Sequence, residues 1–211
     1  MYSEVIAGLG DAIEPRVLLS PKRRLAESVT DLLARAPAQF VLVGSSYGGN
    51  LALELALAGP LRIRALWLMG CNPAAPRPGG PDLAAGLASL PDAAIDMLAS
   101  LVVRKEATAA TATFKAMARR LGVEAGAAQA RAAATRQEVA SRLGQLAMPA
   151  LVLWGEADLL APVSVGRALA DGLAGSQFRV IKDCGHLPTL ERPAECAALF
   201  RDFLNGLAQR S

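Results

Sequence analysis

Short, uninterrupted apolar runs alternate along this chain with longer stretches in which apolar residues recur every third or fourth position. The runs Arg16 to Leu19, Phe40 to Gly44, Ile63 to Met69, Ala150 to Trp154 and Phe178 to Ile181 read as strands. Their apolar, often β-branched side chains suit a sheet covered on both faces. Arg24 to Arg35 reads as an amphipathic helix, with Leu25, Val29, Leu32 and Leu33 on one side. Further helices are predicted at Leu51 to Leu57, stopped by Gly59-Pro60, at Val163 to Leu173 and at Arg192 to Leu207. Strand and helix in alternation predict an α/β fold: a mostly parallel sheet with helices on both faces.

The alternation breaks between Asn72 and Met148. Pro73 to Asp82 is a Pro- and Gly-rich linker, followed by Ala-rich segments without a convincing strand. Leu83, Leu87 and Leu90 fall at helical spacing, as do Phe114, Met117, Ala118 and Leu121. Residues 72–148 are therefore expected to form a helical insertion, with 1–71 and 149–211 making the core. The Met and Phe positions of the insertion are expected to serve packing before ligand contact.

Composition narrows the class. The chain is 53% apolar but only 4% aromatic, so Ala, Leu and Val must supply the packing, which favours close helix-on-sheet contact. A net charge of +3 is spread out, with Lys22-Arg23-Arg24 its densest cluster. No basic stripe with interleaved aromatics appears, so no nucleic-acid partner is expected. The most apolar window, Leu51 to Gly70, is interrupted by Glu54, Arg62 and Arg64 and is not a membrane span. The three cysteines (Cys71, Cys184, Cys196) include no C-x-x-C pair. With Glu4, Asp11 and Glu14 near the start in place of a basic leader, reduced thiols in a cytoplasmic protein are expected.

The candidate chemistry sits where the strand run Phe40 to Val43 meets Gly44-Ser45-Ser46-Tyr47-Gly48-Gly49 and a helical segment begins at Asn50. Strand, sharp turn and helix around G-x-S-x-G expose a serine hydroxyl above the sheet edge. Only Ser46 has glycine two residues away on both sides. Both motif glycines, Gly44 and Gly48, are expected to be required because a Cβ there would collide with neighbouring strand or helix. A serine needs a base, and the base an orienting acid. His186 is the chain's one histidine and follows the strand Phe178 to Ile181 in Cys184-Gly185-His186. Asp158 follows the strand Ala150 to Trp154; Asp183 and Glu156 are weaker acid candidates. Ser46, Asp158 and His186 each lie just past a strand's C-terminal end, the edge where open α/β sheets carry their sites.

On the stretches FVLVGSSYGGNLALEL, PALVLWGEADLLAP and CGHLPTLERPAE, the chain resembles α/β-hydrolase-fold enzymes, close to the capped esterases and C–C hydrolases. The resemblance implies Ser46 as nucleophile, Asp158 as acid, His186 as general base, and the Tyr47 backbone N–H as one oxyanion donor. It implies that residues 72–148 cap the pocket, that a small-molecule ester is the substrate, and that neither cofactor nor metal is needed. The alternatives are a non-catalytic binding protein on the same fold, or a C–C or lactone hydrolase with the same triad.

The family pattern is incomplete ahead of the elbow. Members carry an earlier strand whose loop gives a second oxyanion N–H, but only 45 residues precede Ser46 here. One reading makes Glu4 to Gly10 part of a helix before a strand at Arg16 to Leu19. The other makes Val5 to Ala7 a remnant strand and Gly8-Leu9-Gly10 a substitute oxyanion loop. In the first reading the oxyanion strand and the sheet's first strands are absent, which leaves an uncovered edge that a second copy of the chain would cover as a homodimer.

Overall fold

The structure, a computed structural model, describes residues 1–76, 79 and 82–209. Four strands, β1 (Phe40–Ser45), β2 (Ile63–Met69), β3 (Ala150–Gly155) and β4 (Ser176–Ile181), pair in parallel in that order. Before β2 come the helices α1 (Ser3–Leu9), α2 (Leu25–Arg35) and α3 (Tyr47–Ala58). Between β2 and β3 lie α4 (Leu83–Ser89), α5 (Pro91–Val102), α6 (Thr108–Leu121) and α7 (Val123–Ala134). The remainder are α8 (Val163–Gly172), the single turn α9 (Pro188–Glu191) and α10 (Pro193–Ala208).

Strand side chains alternate between faces, and the two sets enter different cores. Leu66, Leu68, Ala150, Val152 and Trp154 meet Ala52, Leu53 and Ala56 of α3 and Leu169 of α8. Ala65, Trp67, Met69, Leu151 and Leu153 meet Val5 and Leu9 of α1 and Phe200 and Phe203 of α10. Both faces of β2 from Ala65 onward and of β3 are thus dry, which is why these stretches are apolar; Arg64, near the start of β2, is exposed. Helix α3 is apolar nearly all round because α2 covers its outer side through Leu25, Val29 and Leu32 against Leu51 and Leu55.

Two expectations about the N-terminal region fail. Residues 16–19 form no strand: Val17 and Leu19 are 68% and 58% exposed, while Leu18 packs on the α2 cluster. The Leu19 carbonyl accepts from Arg35 Nη2 at 2.7 Å instead of from a neighbouring strand. Local β propensity without a ladder partner does not make a strand. Val5 to Ala7 lies inside α1, so the remnant-strand alternative also falls. The helix of the other reading is present, and its Val5 and Leu9, one turn apart, are buried against the sheet.

Among the described residues between β2 and β3 there is no strand. The expected linker Pro73 to Asp82 lies partly outside the described residues, at 77, 78, 80 and 81. Where the helical segment leaves and rejoins the sheet, Val139 N–H donates to the Pro73 carbonyl at 2.8 Å. Residues Val139, Leu143 and Leu146 then pack into the α3–α8 core. Further ties run from Leu25 N–H to Thr135 Oγ1 and from Asn72 N–H to Asn50 Oδ1, both 2.9 Å.

Gly166 tests how tightly α8 is seated. A Cβ there would lie 2.4 Å from the Trp154 indole, a ring fully buried and fixed by its Nε1–H donating to the Ala161 carbonyl at 2.7 Å. Helix propensity favours Gly→Ala by about 1 kcal/mol, but overpacking a rigid site costs about 1–3 kcal/mol. Chemical denaturation of Gly166→Ala is expected to show net destabilisation.

Candidate active site

The elbow begins with a steric demand at the end of β1. A Cβ on Gly44 would sit 2.3 Å from the Gly48 carbonyl oxygen, so the turn can fold back over the strand only if residue 44 has none. Gly48 itself meets nothing within 4 Å, which corrects the expectation that both motif glycines are sterically required. The glycine after the motif is the crowded one: a Cβ on Gly49 would lie 2.6 Å from Cys71 Cβ. Ser46 takes φ 54° and ψ −121°, a conformation that strains any residue with a side chain. The strain aims Oγ away from the sheet, and Ser46 remains partly accessible.

Helix α3 starts directly after the serine. Gly49 and Asn50 N–H both bond back to the Ser46 carbonyl, at 2.9 and 3.1 Å. The Tyr47 and Gly48 N–H groups precede them and have no intrahelical acceptor, as the first amides of any helix. Together with the helix dipole they present partial positive charge beside Oγ.

His186 reaches the elbow from the loop beyond β4. Its Nε2 lies 2.8 Å from Ser46 Oγ and its Nδ1 2.8 Å from Asp158 Oδ2. An ionised carboxylate only accepts, so Nδ1 carries the proton and the Nε2 lone pair faces the serine hydroxyl. His186 and Asp158 are 3% and 7% exposed. Asp158 is fixed by its other oxygen, which accepts from Leu160 and Ala161 N–H at 2.9 Å each. The three sequence candidates, separated by up to 140 positions, are therefore in hydrogen-bond contact.

The weaker acid candidates sit elsewhere. Asp183 points outward and lies 3.8 Å from Arg104. Glu156 Oε2 accepts the Asp183 N–H at 3.4 Å and stays exposed. The cysteines offer no rival nucleophile: burial pushes the Cys71 and Cys196 thiols up to about 12 and raises Cys184 as well.

Sequence reading missed two glycines that make room for the histidine. Gly70, just past β2 with φ 55°, would put a Cβ 2.9 Å from His186 Cε1. Gly155, ending β3, would put one 1.9 Å from the Gly185 carbonyl oxygen. Each sits at the C-terminal end of a strand, and that position was the available signal. It also missed Glu191, whose buried carboxylate accepts the Gly185 N–H at 3.0 Å; only the folded contact reveals it.

A parallel α/β sheet with a strained serine elbow and a Ser–His–Asp chain on its C-terminal edge defines the α/β-hydrolase class. The sequence agrees: the profile described as the alpha/beta hydrolase family matches residues 7–199, and the chain belongs to that family. A 2-hydroxy-6-oxononadienedioate/2-hydroxy-6-oxononatrienedioate hydrolase from Paraburkholderia xenovorans is 30% identical over 177 residues, 77% of this chain and 61% of that protein. The chain thus spans less than two thirds of that relative. A pimeloyl-[acyl-carrier protein] methyl ester esterase from Aromatoleum aromaticum is 29% identical, over 83% of this chain and 78% of that one. The structure of a thermophilic esterase from Thermogutta terrifontis superposes with a TM-score of 0.78 at 23% identity, covering 95% of this chain and 77% of its own.

The strain at residue 46 can be measured apart from chemistry. Ser46→Ala and Ser46→Gly both remove the hydroxyl, but only glycine relieves the positive φ. The strain is about 1–3 kcal/mol and the entropy glycine loses on folding about 0.4–1 kcal/mol. Ser46→Gly is therefore expected to be the more stable of the two in urea titrations.

Proposed function

We propose that this protein is a serine hydrolase that cleaves a carboxylic ester of a small or medium substrate through an acyl-enzyme on Ser46. The observation that carries this reading is the unbroken contact Ser46 Oγ–His186 Nε2 and His186 Nδ1–Asp158 Oδ2, 2.8 Å at each step. As Oγ bonds to the carbonyl carbon, Nε2 takes its proton and the Asp158 carboxylate stabilises the imidazolium. The carbonyl oxygen becomes an oxyanion facing the α3 N-terminus, where the Tyr47 N–H donates to it. Collapse expels the alcohol, which takes the proton from Nε2. Water then loses a proton to Nε2, attacks the acyl carbon, and returns the serine with release of the acid. No step calls for a cofactor or metal.

Residues 72–148 act in this reading as a cap over the pocket, supplying acyl and alcohol selectivity. A second reading keeps the triad and changes the bond, to C–C cleavage; the Paraburkholderia relative, named for hydrolysis of a 2-hydroxy-6-oxononadienedioate, favours it. A cytoplasmic location belongs to the same proposal, supported by the three free, buried cysteines; among the described residues no helix is long and apolar enough to cross a membrane. Among the described residues, strand β1 has a strand partner on one side only, and pairing of two copies along its other side belongs to the same proposal. Sedimentation at micromolar concentration is expected to show a dimer; a monomer there removes that part alone.

Labelling with a fluorophosphonate probe tests the chemistry. The folded protein is expected to label and to hydrolyse p-nitrophenyl esters. Ser46→Ala abolishes labelling, and Asp158→Asn lowers kcat by roughly 10⁴-fold by losing the correct imidazole tautomer. Folded protein that neither labels nor turns over any ester overturns the reading in favour of a binding protein. Cleavage of a vinylogous diketone in preference to esters selects the C–C reading.

A further inference from the structure

The loop that carries His186 is held from outside the triad by a group that catalysis does not use. Glu191 closes the single turn α9, five residues after the histidine, and is 8% exposed. Its Oε1 accepts the Gly185 N–H at 3.0 Å, while Oε2 is buried without a partner among the described residues. Burial pushes this carboxyl above its ordinary value, and the backbone N–H groups of Gly185 and Arg104 counter that shift. A buried carboxylate with one orphan oxygen costs stability. An apolar residue would fill the space at lower cost, so its presence calls for a reason.

The reason lies in what meets there. Arg104 belongs to the linker 103–107 between α5 and α6, within the segment proposed to cap the pocket. Its backbone nitrogen lies 3.3 Å, and Glu191 Oε1 2.6 Å, from the place where a Gly185 Cβ would be. The Arg104 guanidinium donates from Nη1 to the Asp183 carbonyl at 2.5 Å and reaches Glu106 at 3.2 Å. On the other side of the histidine, Leu187 packs with Val102, Val103 and Ala110. Residues 183, 185 and 187 are thus all gripped by the insertion or by Glu191, while His186 between them faces the serine. Asp183, at φ 47°, is one of the two non-glycine residues with positive φ among those described, Ser46 being the other. The loop is a tight turn that needs holding.

We infer that Glu191 is a positioning residue that makes the placement of His186 depend on docking of the linker 103–107. Its buried carboxylate joins the histidine turn to the insertion, so undocking the linker loosens the imidazole. The consequence for turnover rests on the hydrolase reading; the consequence for the imidazole does not.

Because His186 is the chain's one histidine, its ring signals in NMR are unambiguous. The Nδ1–H held by Asp158 should give a downfield proton protected from exchange with water. In Glu191→Ala, that proton is expected to broaden and exchange at least tenfold faster while the protein still melts cooperatively. Glu191→Gln keeps an acceptor at Oε1 and should retain most of the protection. Arg104→Ala should speed exchange in the native background and add little in Glu191→Ala, since coupled contacts are not additive.

In parallel, kcat on a p-nitrophenyl ester should fall roughly 10–100-fold in Glu191→Ala with KM nearly unchanged, and recover in Glu191→Gln. A Glu191→Ala protein with lowered Tm but native exchange at Nδ1–H overturns the inference. If Glu191→Ala does not fold, unchanged exchange in Arg104→Ala overturns it. Absence of ester turnover by the native protein counts against the hydrolase reading only, and the exchange measurements still decide the role of Glu191.

Discussion

The site depends on backbones approaching one another more closely than side chains permit. At the C-terminal edge of the sheet, β1, β2 and β3 each reach a glycine at or next to their ends: Gly44, Gly70 and Gly155. Gly44 makes room for the elbow carbonyl of Gly48, while Gly70 and Gly155 make room for the histidine loop, at the His186 ring and the Gly185 carbonyl. A methyl group at any of them would move one partner of a contact that must stay near 2.8 Å. Displacement by an ångström at a reacting centre costs about 10²-fold in rate. The sheet therefore fixes the Ser46–His186–Asp158 geometry through what its strand ends lack.

This arrangement is costly to hold, and the costs fall where the core is strongest. Ser46 and Asp183 carry positive φ, and Asp158, His186 and Glu191 bring ionisable groups out of water. Against these stand β2 and β3, whose side chains from Ala65 to Met69 and Ala150 to Trp154 are almost wholly buried on both faces. Each Leu, Val or Met among them stabilises by about 1.5–3 kcal/mol relative to exposure. Strained and polar residues cluster at one edge because the middle of the sheet is dry and tightly packed.

Much of this was legible in the sequence, for a physical reason. The central strands are covered on both faces, so Ala65 to Met69 and Ala150 to Trp154 are apolar without a break, and the elbow motif sits between β1 and a helix. Ser46, Asp158 and His186 follow from residue type and position past strand ends. What could not be read depends on partners. Residues 16–19 have strand-like composition, but a strand exists only by pairing, and Arg35 takes the Leu19 carbonyl instead. Gly48 looks as necessary as Gly44 until the space around each is seen. Glu191 lies within the recognised stretch CGHLPTLERPAE, yet its contact with Gly185 joins residues that no periodicity connects.

The side of Ser46 away from His186 sets a further condition. With residues 3–9 helical and packed against α10 and the sheet, neither N-terminal reading supplies an oxyanion loop. The positive end of α3 remains, through the Tyr47 and Gly48 amides that lack intrahelical acceptors. One oxyanion donor is worth about 10²–10³ in turnover. In the proposed reaction that helix end meets the developing charge, and the imidazole must be held where it can take the serine's proton. On that reading the links between the insertion and the histidine loop have a purpose beyond stability: they hold the base 2.8 Å from the hydroxyl it serves.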